Sequence, residues 1–280
     1  MTVRPGFSSI SAFNQAKIRQ FIAIALLSFG LNGCSGGGGS SGTTADTNGS
    51  TNGSEVTSPA ISSRYVYAAN SEDNSISIYA LDVSNGRLKY LEKATSGIQP
   101  YSIVIDPKGL FLYAANHGSN NVSVYSISYT NGALTLVGNV ATGETPASIT
   151  IDPSGKFVYV ANFGSNSISI YTTDPTTGML NIMSSAVTRG SPASVIVDPS
   201  GKFAYVANRL SNSIEIYNLN LTTGWLASLN TAVAAETGPC SIEIDPAGKF
   251  AYVTNNSSNN VSVYKINTQS GALSSVGAVL

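Results

Sequence analysis

The hexapeptide Tyr65-Val-Tyr-Ala-Ala-Asn70 returns in closely related form at Phe111 to Asn116, Phe157 to Asn162, Phe203 to Asn208 and Phe250 to Asn255, and its terminal asparagines stand 46, 46, 46 and 47 residues apart. A fixed period of this length marks a chain assembled by stacking one small structural unit, because a single copy cannot bury its own apolar surface. Four of the copies are preceded by a turn signature: Asp106-Pro-Lys-Gly109, Asp152-Pro-Ser-Gly155, Asp198-Pro-Ser-Gly201 and Asp245-Pro-Ala-Gly248. Aspartate bonds its own downstream amides, proline presets φ, and glycine accepts the positive φ that closes a hairpin.

The second repeat predicts four strands: Ser102 to Asp106, Phe111 to Asn116, Val122 to Tyr125 and Ala133 to Val137. The third and fourth are joined by Thr130-Asn-Gly132, with counterparts at Asn85-Gly86, Thr177-Gly178, Thr223-Gly224 and Ser270-Gly271, all hairpin turns. The unit is therefore an antiparallel meander. Its second strand is apolar on both faces, Phe157, Tyr159 and Ala161 against Val158 and Val160, so each small sheet needs cover on both sides. Sheets stacked around an axis supply that cover. The fold class expected is all-β, a β-propeller of four-stranded antiparallel blades with five repeats visible, at about 65–99, 100–145, 146–191, 192–238 and 239–280. Two-residue periodicity with Pro and Gly in every repeat excludes a helical solenoid, and the hairpins disfavour a parallel β-helix. Arg87, Lys89, Glu92 and Lys93 crowd the fourth strand of repeat one, where a blade's outer edge meets water and needs protection from edge pairing.

The residues ahead of the repeats are of another kind. A basic stretch ending in Lys17 and Arg19 leads into the apolar run Phe21 to Leu31 and then Asn32-Gly33-Cys34. Eleven apolar positions are too few to span a bilayer, and the run has the layout of a secretory signal. Leu31-Asn-Gly-Cys34 resembles the lipobox of bacterial lipoproteins, which implies cleavage before Cys34 and lipidation of that cysteine. The division expected is 1–33 signal peptide, 34–58 lipidated cysteine and Gly/Ser/Thr linker, and 59–280 propeller. Ser35 to Ser58 cannot bury a core and behaves as a flexible tether, some 25 Å in reach. The protein is expected outside the inner membrane, lipid-anchored in the cell envelope.

Charged residues make up only 10% of the chain. Removal of residues 1–33 leaves 11 basic against 15 acidic side chains, a surface that attracts no nucleic acid. One histidine, His117, and two cysteines are too few soft ligands for a zinc or copper site, and no cofactor is expected.

Tyr252-Val-Thr-Asn255 spells the motif of the YVTN β-propeller repeat family, and the resemblance covers residues 65 to 280. Pro146 to Asn162 is similar to the repeats of lactonase-type seven-bladed propellers such as the 6-phosphogluconolactonases. Those enzymes place a histidine, a glutamate and arginines at two positions of the channel mouth. After the proline that opens the first strand this chain has Tyr101, Ala147, Ala193 and Cys240; after the asparagine that ends the second it has Ser71, His117, Phe163, Arg209 and Asn256. Of these only Arg209 matches in type. The resemblance thus implies Arg209 as a catalytic candidate; His117 and the loop carboxylate Glu144, with Glu236 on the same face, are further candidates that stand in for family residues this chain lacks. Ser102, Ser148, Ser194 and Ser241 are candidates for ligand binding around the entrance, Cys34 for lipidation, and Arg64, Arg189 and Arg209 for an anion site. The repeated asparagines are read as structural, bonding loop backbone; His117 reads as a solvated loop residue and Cys240 as a small buried one. Five repeats either close a five-bladed ring, with Ser54 to Ala60 as the first strand of repeat one, or form an open arc of a seven-bladed design that pairs with another copy. The reading favoured is a non-enzymatic envelope lipoprotein whose propeller face binds a protein or small polar ligand. The alternative is a lactonase-like hydrolase acting on a sugar lactone.

Overall fold

The computed structural model describes residues 24–26 and 64–280. They form five four-stranded antiparallel sheets, each a meander in chain order, and the described residues contain no helix. Blade two shows the pattern: Pro100–Ile105 innermost, then Phe111–Asn116, Asn121–Ile127 and Leu134–Ala141 at the rim. Blades three, four and five repeat it from Pro146, Pro192 and Pro239. Blade one is completed by Ile24–Leu26 in the innermost place, beside Arg64–Asn70, Ser75–Leu81 and Leu88–Thr95.

That strand departs from the sequence expectation. Ile24 lies opposite Ala68 and Leu26 opposite Val66, the register in which Ile103 opposes Ala114 and Ile105 opposes Leu112 in blade two. The slot foreseen for Ser54 to Ala60 is thus taken by three residues of the apolar run read as a signal. Cys34, the tether and Ser54 to Ala60 lie outside the described residues.

Burial follows the repeat. The second strand of blades two, three and four is buried at all six positions, and its alternating faces enter two different cores. Between blades one and two lie Tyr65, Tyr67, Ala69, Ile76 and Ile78 from one side and Ile103, Leu112, Ala114, Tyr125 and Ile127 from the other. The same set recurs at the three following joints. Each joint is a miniature sheet-on-sheet core, which is why both faces of the second strand had to be apolar. The Asp-Pro-x-Gly turns form as read: Asp152 Oδ1 accepts from the amides of Lys156 and Phe157 at 2.8 and 2.7 Å, while Gly155 takes φ +72°.

Among the described residues the arc does not close. Phe203 and Tyr205 of blade four are 5% and 0% exposed, whereas their blade-five counterparts Phe250 and Tyr252 are 37% and 41% exposed. At the other end a Cβ on Gly132 would meet the Tyr65 ring at 2.4 Å, but one on the equivalent Gly86 of blade one would meet nothing within 4 Å.

Candidate functional site at the channel mouth

The innermost strands of successive blades lie side by side on the concave side of the arc. One end of that surface is built alike in blades two to five from a proline, a bulge and a left-handed residue. Pro100 pairs with Asn116 but Ser102 pairs with Ala115, so Tyr101 is the extra residue of a β-bulge. Ala147, Ala193 and Cys240 hold the same place beside Pro146, Pro192 and Pro239. Such bulges re-aim one side chain without breaking the ladder. The residue ahead of each proline, Gln99, Thr145, Ser191 or Gly238, has positive φ. Its carbonyl accepts from the amide of the residue after the repeated asparagine: His117 to Gln99 at 2.8 Å, Phe163 to Thr145 at 3.0 Å, Arg209 to Ser191 at 3.0 Å and Asn256 to Gly238 at 2.9 Å. Each of blades two to five therefore presents two side chains at the mouth, one from the bulge and one from the loop.

Blade two carries the most developed of these pairs. The His117 imidazole stacks on the Tyr101 ring with centroids 4.3 Å apart and planes 16° off parallel. One ring nitrogen faces the carbonyl of Pro146 in blade three, and Nδ1 is buried without a hydrogen-bond partner among the described residues. Burial holds the imidazole below its ordinary value of 6.5, against the opposing pull of that carbonyl. His117 is therefore half-buried and uncharged at neutral pH, not a solvated loop residue. The bulge at Tyr101 supplies the difference by turning a ring over it.

Arg209 lies two blades away, its Nη2 3.4 Å from Asn256 Oδ1 of blade five. The anion site expected from three arginines does not assemble. Arg189 is committed to Glu215, Nε to Oε1 at 3.4 Å, and only the backbone of Arg64 is described. Glu144 is exposed in the connection to blade three, where its amide donates to Ser165 Oγ at 3.1 Å. Among the described residues no carboxylate pairs with His117 or Arg209.

The first-strand serines turn out to join blades. Ser102 Oγ accepts from the Ile149 amide at 3.2 Å, Ser148 Oγ from Val195 at 3.2 Å and Ser194 Oγ from Ile242 at 3.3 Å. Ser241, in the last blade, has no following blade to join. The repeated asparagines bond side chains of the third strand and not loop backbone: Asn162 Nδ2 reaches Ser167 and Ser169 Oγ at 3.1 and 2.9 Å. Cys240 is only partly buried, because as a bulge residue it faces the mouth, with Sγ 3.2 Å from Thr254 Oγ1.

Sequence reasoning missed one pair. Glu215, 5% exposed, stands where the other blades have Ser77, Ser123, Ser169 and Ser262, and Arg189 stands where blades two and three have Gly97 and Gly143. Glu215 Oε2 accepts from Asn208 Nδ2 at 2.8 Å and from the Arg189 amide at 3.0 Å. The pair breaks the repeat twice in one place, and that double break was a readable signal. At the far end from the mouth, a cleft of about 200 Å³ between blades two and three is lined by Asp106, Lys108, Ser154 and Asp174. It is a by-product of the turns, since Asp106 already spends its oxygens on the amides of Lys108, Leu110 and Phe111.

The sequence matches the model of the family described as lactonase, 7-bladed beta-propeller, over residues 40–139, 99–197 and 184–280. The chain belongs to this family. Among solved structures it is similar to a Bacteroides uniformis protein assigned as a 6-phosphogluconolactonase, with 22% identity and TM-score 0.68 over 76% of this chain and 68% of that one. It is similar also to the periplasmic gluconolactonase of Pseudomonas aeruginosa, with 21% identity and TM-score 0.67 over 77% of this chain and 67% of that one. Kuenenia stuttgartiensis hydrazine synthase shares the architecture too, with 21% identity and TM-score 0.60 over 77% of this chain and 63% of that one. The chain thus spans about two thirds of the length of these structures, and the likeness establishes the fold alone. No curated protein matches the sequence.

Proposed function

We propose that this chain hydrolyses a sugar lactone at the mouth of the propeller, outside the cytoplasm and tethered to the envelope through a lipid on Cys34; cleavage before that cysteine removes Ile24–Leu26, so that of the described strands of blade one the mature protein keeps Arg64–Asn70, Ser75–Leu81 and Leu88–Thr95. The observation that carries the reading is the orphaned, uncharged His117 Nδ1, held by Tyr101 and Pro146 in a member of the lactonase family. A buried acceptor without a partner calls for a water or a ligand hydroxyl. In the proposed reaction Nδ1 takes the proton of a water attacking the lactone carbonyl carbon, and the Arg209 guanidinium stabilises the developing oxyanion. The ring C–O bond then breaks, and the proton passes to the leaving alkoxide to give the hydroxy acid. Glu144 lies two residues before Pro146 and is the nearest carboxylate in sequence to this seat.

Hydrolysis of glucono-δ-lactone by the purified protein is the test. Arg209→Ala and His117→Gln should each lower kcat/KM by about 100-fold or more, and a wild-type protein without turnover of any aldonolactone removes the hydrolase. A second reading, a non-catalytic receptor for a small polar ligand, is favoured by the absence of a paired carboxylate at His117 or Arg209 among the described residues. Saturable lactone binding by calorimetry without turnover would sustain it.

A further inference from the structure

The end of the arc opposite the mouth is made of two turns per blade, and main-chain bonds tie them together. The Asp-Pro-x-Gly turn joins the first two strands and a hairpin joins the last two. Thr173 donates to the Lys156 carbonyl at 3.0 Å, Leu219 to Lys202 at 2.8 Å and Ile266 to Lys249 at 2.8 Å. The five hairpins are alike, each closed by a glycine amide, from Gly86 donating to Asp82 through to Gly271 donating to Asn267. Equivalent positions therefore stand at one level around the arc. The second hairpin position holds Val83, Tyr129, Pro175 and Leu221 in blades one to four, and all four side chains are exposed. Trp225, which ends the hairpin of blade four, is 57% exposed, and Leu110 in the first turn of blade two is exposed as well. Lys156, Lys202 and Lys249 are exposed in the neighbouring turns. The carboxylates at this end are instead turned into the amides of their own turns, as at Asp152 and Asp174.

We propose that this face is a membrane-docking surface, which lies on a lipid bilayer with its hairpin tips sunk to headgroup level and the mouth turned away. A lone exposed apolar side chain needs no explanation, but one hairpin position filled this way in four successive blades does. Three features name the occupant. The side chains project singly from hairpin tips, a form in which each can enter lipid on its own. Trp, Tyr and Leu are accompanied by lysine, the set favoured at a bilayer interface, where amphipathic rings sit among headgroups and ammonium groups reach phosphates. The mouth end is unsuited to the same surface, because Glu72, Asp73, Glu144 and Glu236 are exposed in its loops, and an anionic leaflet repels them. At long range the turn carboxylates offset the lysines, so the apolar side chains drive docking and the lysines add contacts only close to phosphate. This surface is separate from the lactone site and does not depend on it.

Trp225 is the single tryptophan of the chain, so its emission reads this face alone. The full chain is mixed with vesicles of phosphatidylethanolamine and phosphatidylglycerol. Trp225 emission should move to the blue, become quenched by lipids brominated on their acyl chains, and lose its access to aqueous iodide. Tyr129→Ser combined with Leu221→Ser should remove most of the shift and the quenching. Melting of that variant should stay within about 2 °C of the parent, because both side chains already face water. Moving the reporter to the mouth, by Trp225→Phe with Leu210→Trp, should leave the emission aqueous on the same vesicles, since Leu210 is exposed at the opposite end. Trp225 that stays unshifted and open to iodide on vesicles overturns the proposal. So does a mouth reporter that shifts as far. Trp225 already shielded from iodide without lipid overturns it too, since protein would then cover the face.

Discussion

The phenol of Tyr205 reaches across a blade joint to the carbonyl of Gly271, 2.9 Å away, and the same glycine has no room for a side chain, because a Cβ there would stand 2.4 Å from the Phe203 ring. Hydrogen bond and close approach are two halves of one contact. Tyr205→Phe should therefore cost about 1 kcal/mol. Gly271→Ala should cost more than about 3 kcal/mol, as left-handed strain adds to the clash. Gly86→Ala has the same positive φ, +74° against +72°, and open space around it, so it should cost only about 1 kcal/mol. Denaturant midpoints of the three variants decide the matter, and equal losses at the two glycines would show that the ring contact contributes nothing.

Glu215 and Arg189 form a second coupled pair, in blade four and the connection leading to it. Replacing Glu215 by Ser restores the residue found in the other blades, but it takes the carboxylate away from the Arg189 amide and Nε, leaving the guanidinium only the Asn230 carbonyl at 3.4 Å, and roughly 2 to 3 kcal/mol should be lost. Combined with Arg189→Gly, which restores the residue of blades two and three, most of that loss should return. A double-mutant cycle measures the coupling; strictly additive losses would mean that the two substitutions are unrelated.

His117 gives a pH dependence whose sign follows from its lowered proton affinity. Below the ordinary value of 6.5 the unfolded chain takes up a proton that the folded protein refuses, so stability falls as pH drops through that range. His117→Gln should flatten this part of the stability curve. In the wild type, the imidazole resonances should titrate with a midpoint below 6.5; a midpoint above it would place the ring in an anionic setting and undo the assignment of Nδ1 as a free base.

Glu243 works in the opposite direction. Partial desolvation by its neighbours on the innermost strand pushes its carboxyl above the ordinary 4.5 although the residue is exposed, and a raised carboxyl favours folding only while it stays protonated. Its favourable effect is complete below about pH 4.5 and is lost as pH rises through the folded value. Glu243→Gln should thus raise the melting temperature at pH 7, with the difference fading below pH 4.5. A variant that melts lower at pH 7 would indicate an ionic partner for this carboxylate.

What the sequence disclosed was whatever repeats. The strand order, the Asp-Pro-x-Gly turns and the two-faced second strand recur at a fixed interval, and each recurrence states the same physical requirement. The bulge at Tyr101, Ala147, Ala193 and Cys240 stayed hidden, because it is made by backbone conformation at Gln99, Thr145, Ser191 and Gly238, an amide, two hydroxyls and a bare glycine with no side-chain feature common to all four. Without the bulge, Cys240 was assigned to the core and His117 to solvent. The serines of the first strand were legible as polar residues near the mouth, but which blade they bond depends on the angle between blades. Closure depends on the same angle, and no single repeat encodes it.

Because the backbone at the mouth is tied by main-chain bonds, from His117 to Gln99 and from Arg209 to Ser191, and by asparagine side chains outside the mouth positions, such as Asn74 and Asn166, the scaffold places few demands on which side chains stand there. Each of blades two to five offers a pair of sockets whose backbone is held the same way whatever side chain occupies them. A repeat of this kind can change its chemistry one letter at a time while keeping its architecture.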